Sequence, residues 1–335
     1  MAQKLSRYFG LSALTLKKAG VFNALIGIDN KLFVDPTLLK NAKAAEFKDA
    51  RNKLEEYFSE IIKLIQLSKS KGDVAWKEAH RRLVFREENA TALGYGISGD
   101  HGKAIGEELS ARLLDRASQI IQIGVVDPVI FELVGLFEED FGADRLSDMT
   151  VAIIRDSFRA YTDRITRELD LIPRATFRYG GKDHSLPLRP GGGKPLLLVP
   201  MELLDALPVA LDPSGIETVS MFNAELRTRF NLLFANARKN KRRITKSDIR
   251  EILFSTPDGI AALVKVYRQA AGRPYDFADD PLGLFEWEEI GFRFTKAYPL
   301  QLAAKSPKSL AEVKAIVTAI IKQGGYPLDS PSRNT

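Results

Sequence analysis

Residues 46–70, EFKDARNKLEEYFSEIIKLIQLSKS, carry the pattern that decides the predicted fold class. Apolar side chains recur there every three or four positions, the spacing that places them on one face of an α-helix. The apolar positions are Phe47, Ala50, Leu54, Phe58, Ile61, Ile62 and Ile65. We therefore expect a long amphipathic helix whose apolar face packs into a core.

Similar spacing, together with capping residues and helix-breaking glycines or prolines, predicts helices along much of the remaining chain. They are expected at 74–84, around 109–121, from Asp127 onward, at 147–169, at 214–237, at 256–270 and at 310–323. The helix predicted at 310–323 has an apolar stripe, so we expect it to contact a protein partner or a second copy of the chain.

Two regions have the short, turn-bounded pattern of β-strands. Residues 24–36, ALIGIDNKLFVDP, predict a hairpin, and residues 175–199 predict the main strands. The expected fold is therefore α+β and predominantly α-helical, with long helices packed around a small mixed or antiparallel sheet. The prolines and glycines of 187–195 predict a boundary between two helical domains, residues 1–186 and residues 187–335.

The composition of the 335-residue chain excludes several kinds of site. With no Cys, the chain has no disulfide, thiolate zinc site or Cys nucleophile, and its three His residues stand far apart in the sequence. The chain is 45% hydrophobic and 27% charged, which is ordinary for a globular protein. The sequence contains no apolar run long enough to predict a membrane span, so we expect a cytoplasmic protein without membrane contact.

A glycine-rich stretch at residues 94–106 is the first candidate site. Its backbone N–H groups and a lysine, placed before a predicted helix, are suited to a phosphate group. The residues expected to contact phosphate are Gly99, His101, Gly102 and Lys103. The Walker pattern is not met, because Ile97 stands where it requires a glycine. A surface loop without a ligand is the alternative interpretation.

An acidic series is the second candidate site, formed by Glu138, Glu139, Asp140, Asp144 and Asp148. Convergent carboxylates bind Mg²⁺, so Asp144 and Asp148 with Glu138 or Glu139 could serve a magnesium-dependent nuclease. The alternative is helix capping, in which Ser147 is an N-cap and Asp148 lies in the first turn.

A basic window, residues 227–250, is the third candidate site and holds nine Lys or Arg against one acid, Asp248. The whole chain has a net charge of +6, which permits binding to a polyanion. The predicted nucleic-acid contacts are Arg238, Lys239, Lys241, Arg242, Arg243 and Lys246. Two alternatives are a solvated helix end and pairing with the acidic segment 275–289 within the fold.

Several strings resemble an uncharacterised bacterial family associated with phage defence. They are LFVDPTLL (32–39), KAIGEEL (103–109), DPVIFELVGLFEEDFGADRLSDMT (127–150), KPLLLVPMELL (194–204) and PYDFADDPLGLFEW (274–287). The longer members of that family look as if they continue into a C-terminal domain similar to restriction endonucleases. The resemblance implies that Asp144, Arg145, Ser147 and Asp148 belong to the family's most recognisable motif, and that the cutting residues lie outside this chain.

These observations predict a nucleic-acid-binding module of a bacterial antiviral defence system that acts with a partner effector. DNA is expected as the ligand rather than RNA. One alternative is a Mg²⁺-dependent nuclease that uses the acidic series, and another is a scaffold subunit that contacts only protein. Exposed Arg242 and Arg243 would favour binding, whereas carboxylates that converge in a cleft would favour cleavage.

Overall fold

The structure is a computed structural model, and it describes residues 3–26, 30, 32–85, 89–91, 93, 105–206, 208–211, 224–240, 242 and 245–277. Helices dominate this part of the chain. They are α1 (Leu5–Tyr8), α2 (Ala13–Lys18), α3 (Ala50–Leu67), α4 (Val74–Arg82), α5 (Glu107–Gln122), α6 (Ile130–Leu133), α7 (Ala143–Ile153), α8 (Arg155–Glu168), α9 (Ala224–Lys239), α10 (Lys246–Ser255) and α11 (Gly259–Gln269).

The described strands form three antiparallel two-stranded sheets. Their bounds are β1 (Gln3–Lys4), β2 (Leu25–Ile26), β3 (Phe33–Val34), β4 (Arg174–Tyr179), β5 (Lys182–Pro187) and β6 (Leu204–Asp205). β1 pairs with β2, β3 with β6, and β4 with β5. The predicted fold class, α+β and predominantly α-helical, is confirmed.

α3 lies at the centre of the core, as its apolar pattern predicts. All seven of the predicted apolar positions between Phe47 and Ile65 are buried. α4, α5 and α7 pack around the helix, and the ring of Phe58 stacks on that of Phe131 at 4.9 Å. The 3.6-residue period therefore identified both the helix and its buried face.

The hairpin predicted at 24–36 is wrong, because β2 and β3 pair with strands far away in the sequence. The side chain of Asn30 takes the place of a second strand beside β2. Its Oδ1 accepts from the Leu25 N–H at 3.0 Å, and its Nδ2 donates to the Leu25 carbonyl at 3.1 Å. With these backbone groups satisfied, β3 is available to pair with β6.

Two further predicted elements differ in the structure. The helix expected at 147–169 is divided into α7 and α8 at Ile154, whose buried side chain continues the apolar pattern across the break. Residues 196–199 are buried without forming a strand. Their backbone is satisfied elsewhere, since the Leu198 N–H donates to Thr162 Oγ1 at 2.9 Å.

Residues on both sides of the predicted domain boundary at 187–195 contribute to one hydrophobic core. The two-domain division stays a prediction. Of the helices in the described ranges, none is long and apolar enough to cross a membrane.

Candidate nucleic-acid interface

The basic window begins on α9 and ends on α10, with a turn between the two helices. The side chain of Lys239, the last residue of α9, is exposed, and that of Arg242, after the helix, is 42% exposed. Exposed Arg242 meets one of the conditions expected for binding. Lys241, Arg243 and the side chain of Arg238 lie outside the described residues.

A capping box fixes the end of this turn. Thr245 caps α10 by accepting from the Asp248 N–H, and the Asp248 carboxylate accepts in return from the Thr245 N–H at 2.7 Å. Arg242 donates two hydrogen bonds to the same carboxylate, at 2.7 and 3.0 Å. These hydrogen bonds lower the pKa of Asp248, and the bonding from Arg242 has the largest effect.

Lys246 points into the protein rather than towards solvent. Its Nζ donates to the carbonyl oxygens of Phe141, at 2.7 Å, and of Glu138, at 3.1 Å. Burial lowers the pKa of this lysine. Arg250, one helical turn later, donates to the carbonyl of Phe137 at 3.3 Å. Both cations therefore join α10 to the segment that precedes α7.

That segment belongs to the acidic series, so two of the candidate sites meet in space. The Glu138 side chain is only 5% exposed and lies within salt-bridge distance of three arginines. They are Arg112 at 3.3 Å, Arg116 at 3.3 Å and Arg250 at 3.8 Å. Asp140 pairs with Arg112 at 2.9 Å. These carboxylates neutralise arginines of the fold, and the described part of the chain offers no group of three or more acidic or histidine side chains able to hold a metal ion.

Asp144 and Asp148 lie on α7, but the capping interpretation of this region is wrong. Gly142 is the N-cap residue, and Ser147 lies inside the helix. The buried hydroxyl of Ser147 instead accepts from the Val34 N–H of β3 at 3.0 Å, across 113 residues of sequence. A long-range contact therefore explains this serine, and the local pattern predicted the wrong partner.

Other predicted residues lie outside the described part of the chain. They include Gly99, His101, Gly102 and Lys103 of the phosphate-loop prediction and the helix expected at 310–323. Of the acidic segment 275–289, only the first three residues are described. Tyr275 and Phe277 are buried with their rings 4.9 Å apart, so they act as core residues.

A buried charge centre, formed by Asp35, Arg51, Glu132 and Tyr267, was missed by sequence reasoning. Arg51 donates to Glu132 Oε2 at 2.9 Å, and the Tyr267 hydroxyl donates to the same oxygen. Asp35 accepts from the backbone N–H groups of Thr37 and Val209. Burial raises the pKa of Asp35, Glu132 and Tyr267. The sequence did contain a signal for these buried acids, because Glu132 and Asp35 are each the single acid in an apolar run, VIFELV and LFVD.

The charge centre joins distant parts of the chain. Tyr267 comes from α11, and the next residue, Arg268, pairs with Asp127 at 2.8 Å and also with Glu55. Gly272 lies over Asp35 and Thr37, where an added Cβ would stand 2.3 Å from the Thr37 hydroxyl. The arrangement is suited to holding α11 and the segment after it against the rest of the fold.

Comparison with known proteins gives one match. A family model described as a domain of unknown function, DUF8370, matches residues 10–212. No curated protein and no solved structure matches the chain. The matched residues include Asp35, Arg51, Glu132 and the acidic series, whereas the basic window follows them in the sequence.

Proposed function

The chain belongs to the DUF8370 family of domains of unknown function, and we propose that it binds DNA through the turn between α9 and α10. The density of positive charge on this turn carries the proposal. Five of the six residues 238–243 are Lys or Arg and none is acidic. When Lys and Arg side chains bind DNA phosphates, they release the counterions of those phosphates. This release supplies most of the affinity in non-specific binding.

The way the turn is held supports the proposal. The capping box at Thr245 and the two bonds from Lys246 anchor the start of α10. The Arg242 N–H also donates to the Ala237 carbonyl at the end of α9, at 3.0 Å. An anchored residue loses less conformational entropy when it binds a ligand than an unanchored one, so Arg242 binds phosphate at lower cost.

The cations of the basic window divide between two roles. Lys246 and Arg250 position α10, because their donors are already directed at backbone carbonyls. Lys239 and Arg242 are exposed and would contact phosphate together with Arg238, Lys241 and Arg243. Asp248 would compete with phosphate for Arg242, so we assign the larger share of binding to its neighbours.

The setting that we propose is the cytoplasm of a bacterium, in antiviral defence and with a partner effector that binds through residues 310–323. This part of the proposal is supported by the sequence resemblance and the composition of the chain. The role assigned to the protein is recognition, with no cleavage step.

The test is a titration of the whole protein against labelled DNA and RNA at two salt concentrations, with Mg²⁺ and then with chelator. The test variant removes three positive charges at once through Lys239→Ala, Lys241→Ala and Arg243→Ala. Arg242 is left unchanged, because it is paired with the Asp248 carboxylate. Each lost phosphate contact lowers the slope of log affinity against log salt by about 0.9, so the slope should fall by about 3.

The matched control neutralises three exposed lysines near and on α3, Lys48→Ala, Lys53→Ala and Lys63→Ala. Its net charge equals that of the test variant, and it should bind as the wild-type protein does. Equal loss in the two variants would mean that only net charge matters and would overturn the proposal. DNA cleavage that stops in chelator would favour the nuclease alternative instead.

A further inference from the structure

The β4–β5 hairpin forms a two-stranded ribbon that none of the predicted sites includes. Along β4 the side chains alternate between exposed and half-buried positions. The exposed positions are Arg174, Thr176 and Arg178, and the register places Pro187, Ser185 and Asp183 opposite them. Cross-strand partners share a face, so these six residues lie on one face of the ribbon. Arg174, Thr176, Arg178 and Asp183 form its exposed part, the outward face, while Ser185 is half-buried and Pro187 is buried.

The β5 edge and the opposite face hold the ribbon on the protein. β5 packs against α8, and the Ser185 N–H donates to the Asp163 carboxylate of that helix at 2.6 Å. The guanidinium of Arg159, also on α8, lies 3.7 Å from the centre of the Tyr179 ring. The ribbon is therefore a supported element whose outward face is left to solvent.

The outward face and its surroundings are basic, although Arg174 is paired with Asp170 at 2.5 Å. Residues 174–194 contain five Lys or Arg and a single acid, Asp183. The side chain of Arg178 is 74% exposed, and Lys182 at the ribbon tip and Lys194 in the following loop are exposed as well. Asp183 is 3.7 Å from Arg178 and so neutralises only part of this charge.

We infer that the outward face of the β4–β5 ribbon enters the major groove of duplex DNA. A two-stranded β-ribbon fits that groove, which is about 12 Å wide. Six residues per strand give a ribbon about 20 Å long, enough to follow several base pairs. On this face Arg178 would contact a guanine edge, while Lys182 at the tip and Lys194 in the following loop would contact phosphates.

The partner chemistry follows from the shape of the face as well as its charge. The major groove of duplex RNA is deep and narrow, so side chains of a ribbon cannot read it. The ribbon should therefore prefer duplex DNA to duplex RNA of the same sequence. The inference deepens the proposed function, on which it rests for the class of ligand, and assigns recognition to a second surface.

The test uses the whole protein and compares labelled DNA and RNA duplexes at two salt concentrations. Arg178→Ala combined with Lys182→Ala should weaken DNA binding at least about tenfold and lower the salt slope by about 0.9, since one of the two lost contacts is to phosphate. Asp183→Asn should strengthen DNA binding, because it removes the carboxylate that competes for Arg178. Thermal unfolding of both variants verifies that they fold, as expected for substitutions of exposed residues.

Arg178→Lys separates base recognition from charge. It keeps the positive charge but loses the bidentate geometry, so selection from random duplexes should yield less sequence preference at an unchanged salt slope. Wild-type affinity of the Arg178→Ala and Lys182→Ala protein, or equal affinity of the wild-type protein for DNA and RNA duplexes, would overturn the inference.

Parallel measurement of the basic-window variant separates the two hypotheses. If only neutralisation of the window abolishes binding, the proposed function stands and the role of the ribbon is wrong. If only neutralisation of the ribbon abolishes binding, the ribbon is the DNA-binding surface and the role of the window is wrong.

Discussion

The buried charge centre and the turn between α9 and α10 are both rich in charged residues, yet these residues differ in burial and in their partners. In the charge centre, Glu132 is fully buried and is contacted by Arg51 and Tyr267. On the turn, Arg242 is 42% exposed although it binds Asp248. The number of charges does not distinguish structural groups from groups available to a ligand, whereas their burial and the direction of their donors do.

Free-energy differences give this contrast a scale. Removing one partner of a buried ion pair leaves the other charge without compensation and costs about 3–5 kcal/mol. An exposed ion pair contributes about 0–1 kcal/mol, because water and salt screen it. Exposed cations can therefore be directed at a ligand with little loss of stability.

The largest expected effect is that of Glu132→Ala, which removes the carboxylate between Arg51 and Tyr267. The free energy of unfolding should fall by about 3–5 kcal/mol, because the buried guanidinium of Arg51 loses Glu132 and keeps only the half-buried Glu55 as an ion-pair partner. Urea denaturation measures this change. Glu139→Ala, an exposed glutamate in the same segment, is the matched control and should change stability by less than about 0.5 kcal/mol. Equal effects would remove the distinction between the two regions.

Lys246→Ala should have the next largest effect, since it leaves the carbonyls of Glu138 and Phe141 without a donor. We expect a loss of about 1–3 kcal/mol in the free energy of unfolding. If the variant and the wild-type protein had the same urea midpoint, the hydrogen bonds of Lys246 would not stabilise the fold and this assignment would be wrong.

Asp248→Asn should have a smaller effect, about 1 kcal/mol, through the helix cap at Thr245. The pKa of Asp248 lies below its ordinary value of 3.8, chiefly because of Arg242. The carboxylate therefore stabilises the fold above pH 3.8, and this contribution is lost as the pH falls through the lower, folded-state pKa. Unfolding curves of the two proteins should converge in acid, and a constant difference at every pH would contradict the assignment.

Lys239→Ala should have the smallest effect on stability, within about 0.5 kcal/mol, because the side chain is exposed. The same variant should nevertheless lower the salt slope of DNA binding by about 0.9. Calorimetry and a salt titration on one preparation measure both values. If Lys239→Ala lowered stability as much as Lys246→Ala, the division of the basic window into structural and phosphate-binding cations would be wrong.

Local patterns predicted well those elements whose period follows from burial of one face. The apolar spacing from Phe47 to Ile65 identified α3 and its buried side, and the Thr256-Pro257-Asp258 turn preceded a helix as expected. The same reasoning missed the break at Ile154, since apolar spacing continues through it. It also joined residues 24–36 into a hairpin, because a turn pattern carries no information about distant strands.

The candidate site was predictable only in part. Charge density marked the basic window, but no local pattern distinguishes Lys246, directed at backbone carbonyls, from exposed Lys239. The acidic series had the composition of a metal site, yet Glu138 is held by arginines from α5 and α10. Such contacts join residues more than twenty positions apart, where sequence spacing no longer determines distance.

The sequence by itself determined the helical character of the protein, the buried face of α3 and the position of the densest positive charge. These properties depend on neighbouring residues, whose relative placement is set by the period of the helix or by adjacency. Only the tertiary structure decided which charges are structural, that Asp35 and Glu132 lie in one buried centre, and that the β4–β5 ribbon exposes a basic face. The reason is physical, because desolvation and ion pairing depend on distances between elements that the folded chain alone establishes.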